Sequence, residues 1–228
     1  MKKLATILAS LMLVLGTTTS SFADFKYGLS GMLGGVFTDG TEHEKTNDGD
    51  SEKHTDSKGE LFAGGSVFLE KAFDNGFALG IDWVPVDADL GSGSRIDTSE
   101  IISGADGCSV SGVTCGTFTA SAELTDLITY YITKTNDSGF YWLLGLHTAT
   151  IVTSETLPTT AYGNEDLLGY QYGFGVTRSA GSGELRYQIS YSDFEDITLT
   201  SNVNTTQKIE ADADAVMYAT ATKQAMKD

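Results

Sequence analysis

The sequence predicts an all-β chain, an eight-stranded antiparallel transmembrane β-barrel with short turns at one end and long loops at the other. Three observations predict it. Apolar and small or polar residues alternate with period two in segment after segment. The connections between segments are short and long by turns. Glycine is plentiful (26) while proline is scarce (2), which suits strands and tight turns better than helices, since Gly costs about 1 kcal/mol in a helix interior.

The first segment, 25–37, places Phe25, Tyr27, Leu29, Leu33 and Phe37 on one face and Lys26, Gly28, Ser30 and Gly34 on the other. In 61–73, Leu61, Ala63, Val67, Leu69 and Phe73 oppose Phe62, Gly64, Ser66, Phe68 and Glu70. Asp74-Asn75-Gly76 is a hairpin signal, and 77–84 follows with Phe77, Leu79, Ile81 and Trp83 against Ala78, Gly80 and Asp82. Segment 118–133 sets Phe118, Ala120, Ala122, Leu124, Ile128, Tyr130 and Ile132 against Thr119, Ser121, Glu123, Thr125, Thr129 and Thr133, with Asp126 interrupting the apolar row.

After 135–139 come Phe140, Trp142, Leu144 and Leu146, opposed by Tyr141, Leu143, Gly145 and His147. In 168–178, Tyr170, Tyr172, Phe174 and Val176 alternate with glycines, Gln171 and Thr177. After 179–183, Leu185, Tyr187, Ile189 and Tyr191 oppose Glu184, Arg186, Gln188, Ser190 and Ser192. The eighth segment, 209–222, alternates with little contrast because it is rich in alanine. The connections run long (38–60), short (74–76), long (85–117), short (135–139), long (154–166), short (179–183) and medium (200–207). Tight turns at one rim and long loops at the other are the habit of membrane barrels.

Lys2 and Lys3, the apolar run Leu4–Leu15 and the small residues ending Ser21-Phe22-Ala23 read as a secretory leader cut between Ala23 and Asp24. The apolar run falls well short of the roughly 20 residues of a spanning helix. The chain carries 14 Lys+Arg against 31 Asp+Glu; losing Lys2 and Lys3 moves its charge from −17 to −19. Such acidity argues against nucleic acid as a partner. No later stretch spans a bilayer as a helix, but a spanning strand needs only about 9–11 residues.

The faces divide as a membrane barrel requires. One face carries aromatics and aliphatics fit for lipid; the other carries glycine, hydroxyls and charge. Phe73, Phe77, Phe140, Trp142 and Tyr187 lie beside the short turns as an expected aromatic girdle at the bilayer interface.

In this pattern the chain resembles the small outer-membrane β-barrels of Gram-negative bacteria, the transmembrane domain of OmpA and the OmpX- and OmpW-like barrels. The stretch FLEKAFDNGFALGIDWVPV (68–86) reads as a periplasmic hairpin of that kind. The resemblance implies one barrel domain over 24–228, located in the outer membrane, with a lumen filled mostly by polar side chains. Lys26, Glu70, Asp82, Glu123, Glu184 and Arg186 are the expected interior polar cluster, where opposite charges must pair or be hydrated. It implies outer-membrane lipid, lipopolysaccharide and the barrel-assembly machinery as partners. The sequence departs from the family at its end, Ala225-Met226-Lys227-Asp228, where a terminal aromatic is usual; Tyr218 is the nearest one.

Candidate chemistry is sparse. Cys108 and Cys115 are close in an exported chain and are expected to form a disulfide worth ~2.5 kcal/mol in the chain-entropy account. Loop 38–60 holds eight acids, three lysines, His43 and His54, but no EF-hand or zincin spacing. It reads as a hydrated charged loop. His147 is expected to face the lumen among serines. Gly34-Gly35 and Gly173-x-Gly175 lie inside strands and do not read as phosphate loops.

No catalytic, metal or cofactor residues are expected. The expected role is non-enzymatic: structural, surface-interacting or porin-like in a minor way, with loops 38–60 and 85–117 available to an extracellular partner. Two alternatives stay open, a lipid A- or phospholipid-modifying enzyme using His147 and a secreted barrel with its aromatic face inward.

Overall fold

The computed structural model describes residues 25–45, 51–98, 115–156, 161–202 and 207–225. The leader, the Ala23–Asp24 junction and Cys108 lie outside these residues. Of Cys115 only the backbone is described, at the start of a strand.

Ten strands follow one another: β1 (Phe25–Lys45), β2 (Ser51–Ala72), β3 (Phe77–Trp83), β4 (Ala88–Thr98), β5 (Cys115–Thr135), β6 (Phe140–Glu155), β7 (Glu165–Ala180), β8 (Gly183–Phe194), β9 (Ile197–Thr200) and β10 (Lys208–Ala225). Every pairing is antiparallel. β3 and β4 lie end to end along β5, and β8 and β9 end to end along β10, so ten strands build a ring of eight staves. β1 pairs with β10 from Lys26↔Ala225 to His43↔Lys208 and closes the ring. A closed ring leaves no sheet edge along that stave.

The short turns form as their side chains dictate. Gly76, at φ 79°, donates its N–H to Phe73 O at 3.0 Å, and Asn75 Oδ1 accepts from Phe77 N. In the next turn Asn136 Oδ1 accepts from the N–H groups of Ser138 and Phe140. Such side-chain acceptors mimic a backbone turn.

The aromatic and aliphatic face points outward. Leu29, Leu33, Tyr172, Phe174, Ile189, Tyr191 and Tyr218 are all exposed. Water-soluble monomers rarely expose contiguous apolar patches beyond a few hundred Å², so this belt is a lipid-facing surface. The inward-facing alternative, a soluble barrel with an aromatic core, does not hold.

At the rim of short turns, Phe140, Trp142 and Tyr187 are exposed on the outside. Phe77 meets Trp142 edge-on at 6.1 Å, and Phe140 stacks on Phe174 at 6.4 Å. Lys134 lies over Phe77 and reaches Asn75 O, while Lys71 lies between Phe25 and Phe73. Rings with cations on their faces suit the boundary between lipid and water.

Two features depart from the sequence expectation. Of the stretches expected as loops, 38–60 is strand over all its described residues, and 85–117 is strand over 88–98 and 115–117. β1 and β2 stay paired out to Lys45↔Ser51, and β4 pairs with β5 out to Thr98↔Cys115. Above the belt both faces meet water, so alternation has nothing to record there and the ladder alone sustains the strands.

The second departure is a bulge in β5. Thr125 pairs with Thr150 and Ile128 with Thr148, so β5 spends one residue more than β6. Asp126 absorbs it at φ 54°. One extra residue exchanges the faces. Ile128, Tyr130 and Ile132 face lipid as expected, but Leu124, Ala122 and Ala120 turn inward. Glu123, expected inside, is exposed on the outer side. The interruption of the apolar row at Asp126 is this bulge.

Candidate functional site

The lumen has two unlike halves. At the short-turn end it is filled by ions and rings. Glu70 on β2 is 1% exposed and accepts from Arg186 Nη2 at 2.7 Å, Lys223 Nζ at 3.0 Å and Tyr131 Oη at 3.2 Å. Glu184 binds Lys26 Nζ at 2.6 Å and Lys223 Nζ at 3.0 Å. The Arg186 guanidinium lies 4.9 Å from the centroid of the Tyr141 ring and 5.8 Å from that of Phe68. Lys26, Glu70, Glu184 and Arg186 are thus brought together. Asp82 lies inward beside them, outside the ion pairs. Lys223 is a member the sequence reading missed, because the alanine-rich β10 gave its faces no contrast.

Glycines make the rings fit. A Cβ on Gly80 would lie 2.1 Å from the Tyr131 ring, and one on Gly175 would lie 2.6 Å from Tyr141 Oη. Replacing Gly80 by valine is therefore expected to cost at least the 1–3 kcal/mol typical of an overpacked core. The measure is a lower urea midpoint for unfolding from lipid.

Beyond this plug the lumen turns apolar. Leu124 and Leu127 of β5, Ile151 of β6, Leu167 of β7, Phe194 of β8, Ile197 and Leu199 of β9, and Ala213 and Ala215 of β10 line or pack around a chamber of about 620 Å³. That volume lies within the ~300–1,000 Å³ of small-molecule sites. The expectation of a lumen filled mostly by polar side chains therefore fails in this half; the bulge at Asp126 supplies Leu124 and Ala122 where threonine and glutamate would stand. Tyr162, from the segment before β7, roofs the chamber and donates to Glu42 Oε1 at 3.2 Å.

The wall of the chamber has a seam. The β2–β3 ladder stops at Val67↔Trp83. Above it β2 pairs only with β1 and β4 only with β5. Pro85 sits at the break, where a residue without an N–H donor is tolerated. Leu61, Ala63, Val84, Val86 and Ala88 line the chamber at this seam, and Leu61 is 90% exposed. An unpaired edge within hydrocarbon is costly unless it borders a cavity or water, and here it borders the chamber.

His147 lies at the chamber floor, 1% exposed. Its Nδ1 is 2.8 Å from Thr129 Oγ1 and its Nε2 is 2.8 Å from Ser192 Oγ; the ring stacks on Phe194 at 5.4 Å. Both nitrogens are taken by hydroxyls, and no carboxylate orients the ring. Ser192 is 0% exposed. Among the described residues no group of three or more His, Cys, Asp or Glu is placed to hold a metal ion.

Sequence comparison matches no protein-family model and no curated protein. Several solved structures are similar in fold. The outer membrane protein OprG of Pseudomonas aeruginosa aligns at TM-score 0.43 and 11% identity, covering 87% of this chain and 97% of that one. The attachment invasion locus protein Ail of Yersinia pestis aligns at 0.30 and 13%, covering 84% and 98%. The outer membrane protease OmpT of Escherichia coli aligns at 0.39 and 9%, covering 92% and 100%.

Proposed function

We propose that this chain is an outer-membrane β-barrel of the Gram-negative envelope that admits small apolar solutes to its upper lumen through the seam between β2 and β4. The role is non-enzymatic and porin-like only in this lateral sense. One observation carries the reading: an apolar chamber of about 620 Å³ is plugged on the short-turn side by the Glu70 ion cluster and reaches the wall between unpaired strands. A solute that prefers lipid gains from burial at about 25 cal/mol per Å² of apolar surface. Ions and polar solutes meet the plug instead.

The test is binding of N-phenyl-1-naphthylamine to the protein in phospholipid nanodiscs, measured against empty discs. Saturable enhancement of fluorescence is expected, and Ala213→Trp, which fills the chamber, is expected to weaken it about tenfold or more. Planar bilayers should show little conductance. Steady large conductance, or binding indifferent to Ala213→Trp, would sink the reading.

An enzyme acting on lipid A or phospholipid is the weaker reading, because His147 lacks the carboxylate that would hold its tautomer. His147→Ala is expected to leave the lipid composition of the envelope unchanged, as read by mass spectrometry of extracted lipids. A disulfide between Cys108 and Cys115 would brace the second long loop. The long stretches 38–60 and 85–117 are the surfaces offered to an extracellular partner.

A further inference from the structure

Beneath the apolar chamber is a second, smaller space of about 60 Å³, lined by Asp82, Arg186, Gln171, Gln188, Ser190 and Ala219. Met32, Met217, Leu127, Val84 and His147 border both spaces and form the collar between them. Two buried polar atoms lining this lower space make no hydrogen bond of ordinary geometry: Asp82 Oδ1, an acceptor with the buried Ser66 hydroxyl as a neighbour, and Arg186 Nε, a donor. A buried polar group left unsatisfied costs about 1–3 kcal/mol. A ligand group that donates to one and accepts from the other recovers it.

Charge selects that group further. Lys26, Arg186 and Lys223 face Glu70 and Glu184 in the ion cluster, and Asp82 supplies the third anion. The lower lumen is thus neutral when all six are ionised. A carboxylate or ammonium entering it would leave one buried charge uncompensated, which is expensive away from water.

From this the geometry points to a neutral amphiphile as the ligand: an apolar body in the upper chamber and a hydroxyl-class head below the methionine collar, between Asp82 and Arg186. The proposal rests on the chamber reading above and names its substrate class.

The experiment uses the full mature chain in phosphatidylcholine nanodiscs with ¹³C-labelled methionine methyls. Met32 and Met217 are followed while 1-decanol, decanoate, decylamine or decane is added, each compared at equal mole fraction in the lipid. Decanol is expected to half-saturate the methyl shifts at a mole fraction about tenfold lower than the other three. Asp82→Asn leaves the cluster with one net positive charge, so its preference should pass to decanoate. Ala219→Leu fills the lower space and should erase the ranking while shifts persist, which keeps the test alive if Asp82→Asn does not fold. Equal titration by all four probes in the unsubstituted protein, or an unaltered ranking in either folded variant, overturns the head-group proposal. If no probe moves either methyl, the chamber reading itself fails.

Discussion

Replacing Glu70 by alanine is expected to destabilise the barrel by about 3–5 kcal/mol, the cost of breaking a buried ion pair by removing one partner. The carboxylate is held by Arg186, Lys223 and Tyr131, all of them buried. Without it, three cations, Lys26, Arg186 and Lys223, remain in the filled half of the lumen with Glu184 and Asp82 as the anions. The measure is the urea midpoint of refolding into lipid vesicles, followed by the gel-mobility shift between folded and heat-unfolded barrel. A double replacement, Glu70→Leu with Arg186→Met, leaves Lys223 on Glu184 and the remaining charges balanced, and is expected to recover most of the loss. Ion pairs exchanged whole for apolar groups of similar volume are often close to neutral. If Glu70→Ala matches the unsubstituted protein, the cluster is not what holds this end of the barrel together.

Deleting Thr125 and Asp126 together is expected to abolish apolar binding while leaving a folded barrel. The bulge is what lets Leu127 and Leu124, three positions apart, both face the lumen. Deleting Asp126 alone removes only the extra residue: Thr125 then follows Leu127 and faces outward, Leu124 still faces inward, and the probe is expected to be retained. With Thr125 gone as well, Leu124 follows Leu127 and faces outward, and Glu123 enters the lumen opposite Ile151. A charged carboxylate in an apolar chamber must be hydrated or neutralised, and either outcome removes the site for N-phenyl-1-naphthylamine. Retained probe affinity in the double deletion would show that β5 had slipped by one residue to keep its faces. The chamber would then be set by burial rather than by the bulge.

Much of the architecture was legible in the sequence because the bilayer imposes alternation. Tyr172 and Phe174, or Ile189 and Tyr191, read outward from their spacing alone, and Asp74-Asn75-Gly76 announced its turn. Lys26, Glu70, Glu184 and Arg186 were legible as a lumen group because charge on the small-residue face has nowhere else to go. Three features were not. Glu123 looked inward because a bulge is a backbone event, marked in sequence only by Asp126 out of place. Lys223 was hidden in a run of alanine and threonine whose two faces look alike. The seam was invisible as well, since Pro85 reports a break in one strand and says nothing about which neighbour fails to bridge it.

The pairing of β1 with β10 also sets an order of events. The first and last strands of the described barrel are partners, so β1 gains its second neighbour only when the last strand is in place. Contacts between such distant segments form late and slowly, because loop closure must precede any gain. The same ions that fill the lumen straddle this junction: Lys26 belongs to β1, Lys223 to β10, and both bind Glu184 of β8. The closing step therefore has an electrostatic latch, engaged only when the final strand arrives. Until then β1 presents an open edge, and whatever shields it governs how long the unfinished barrel survives.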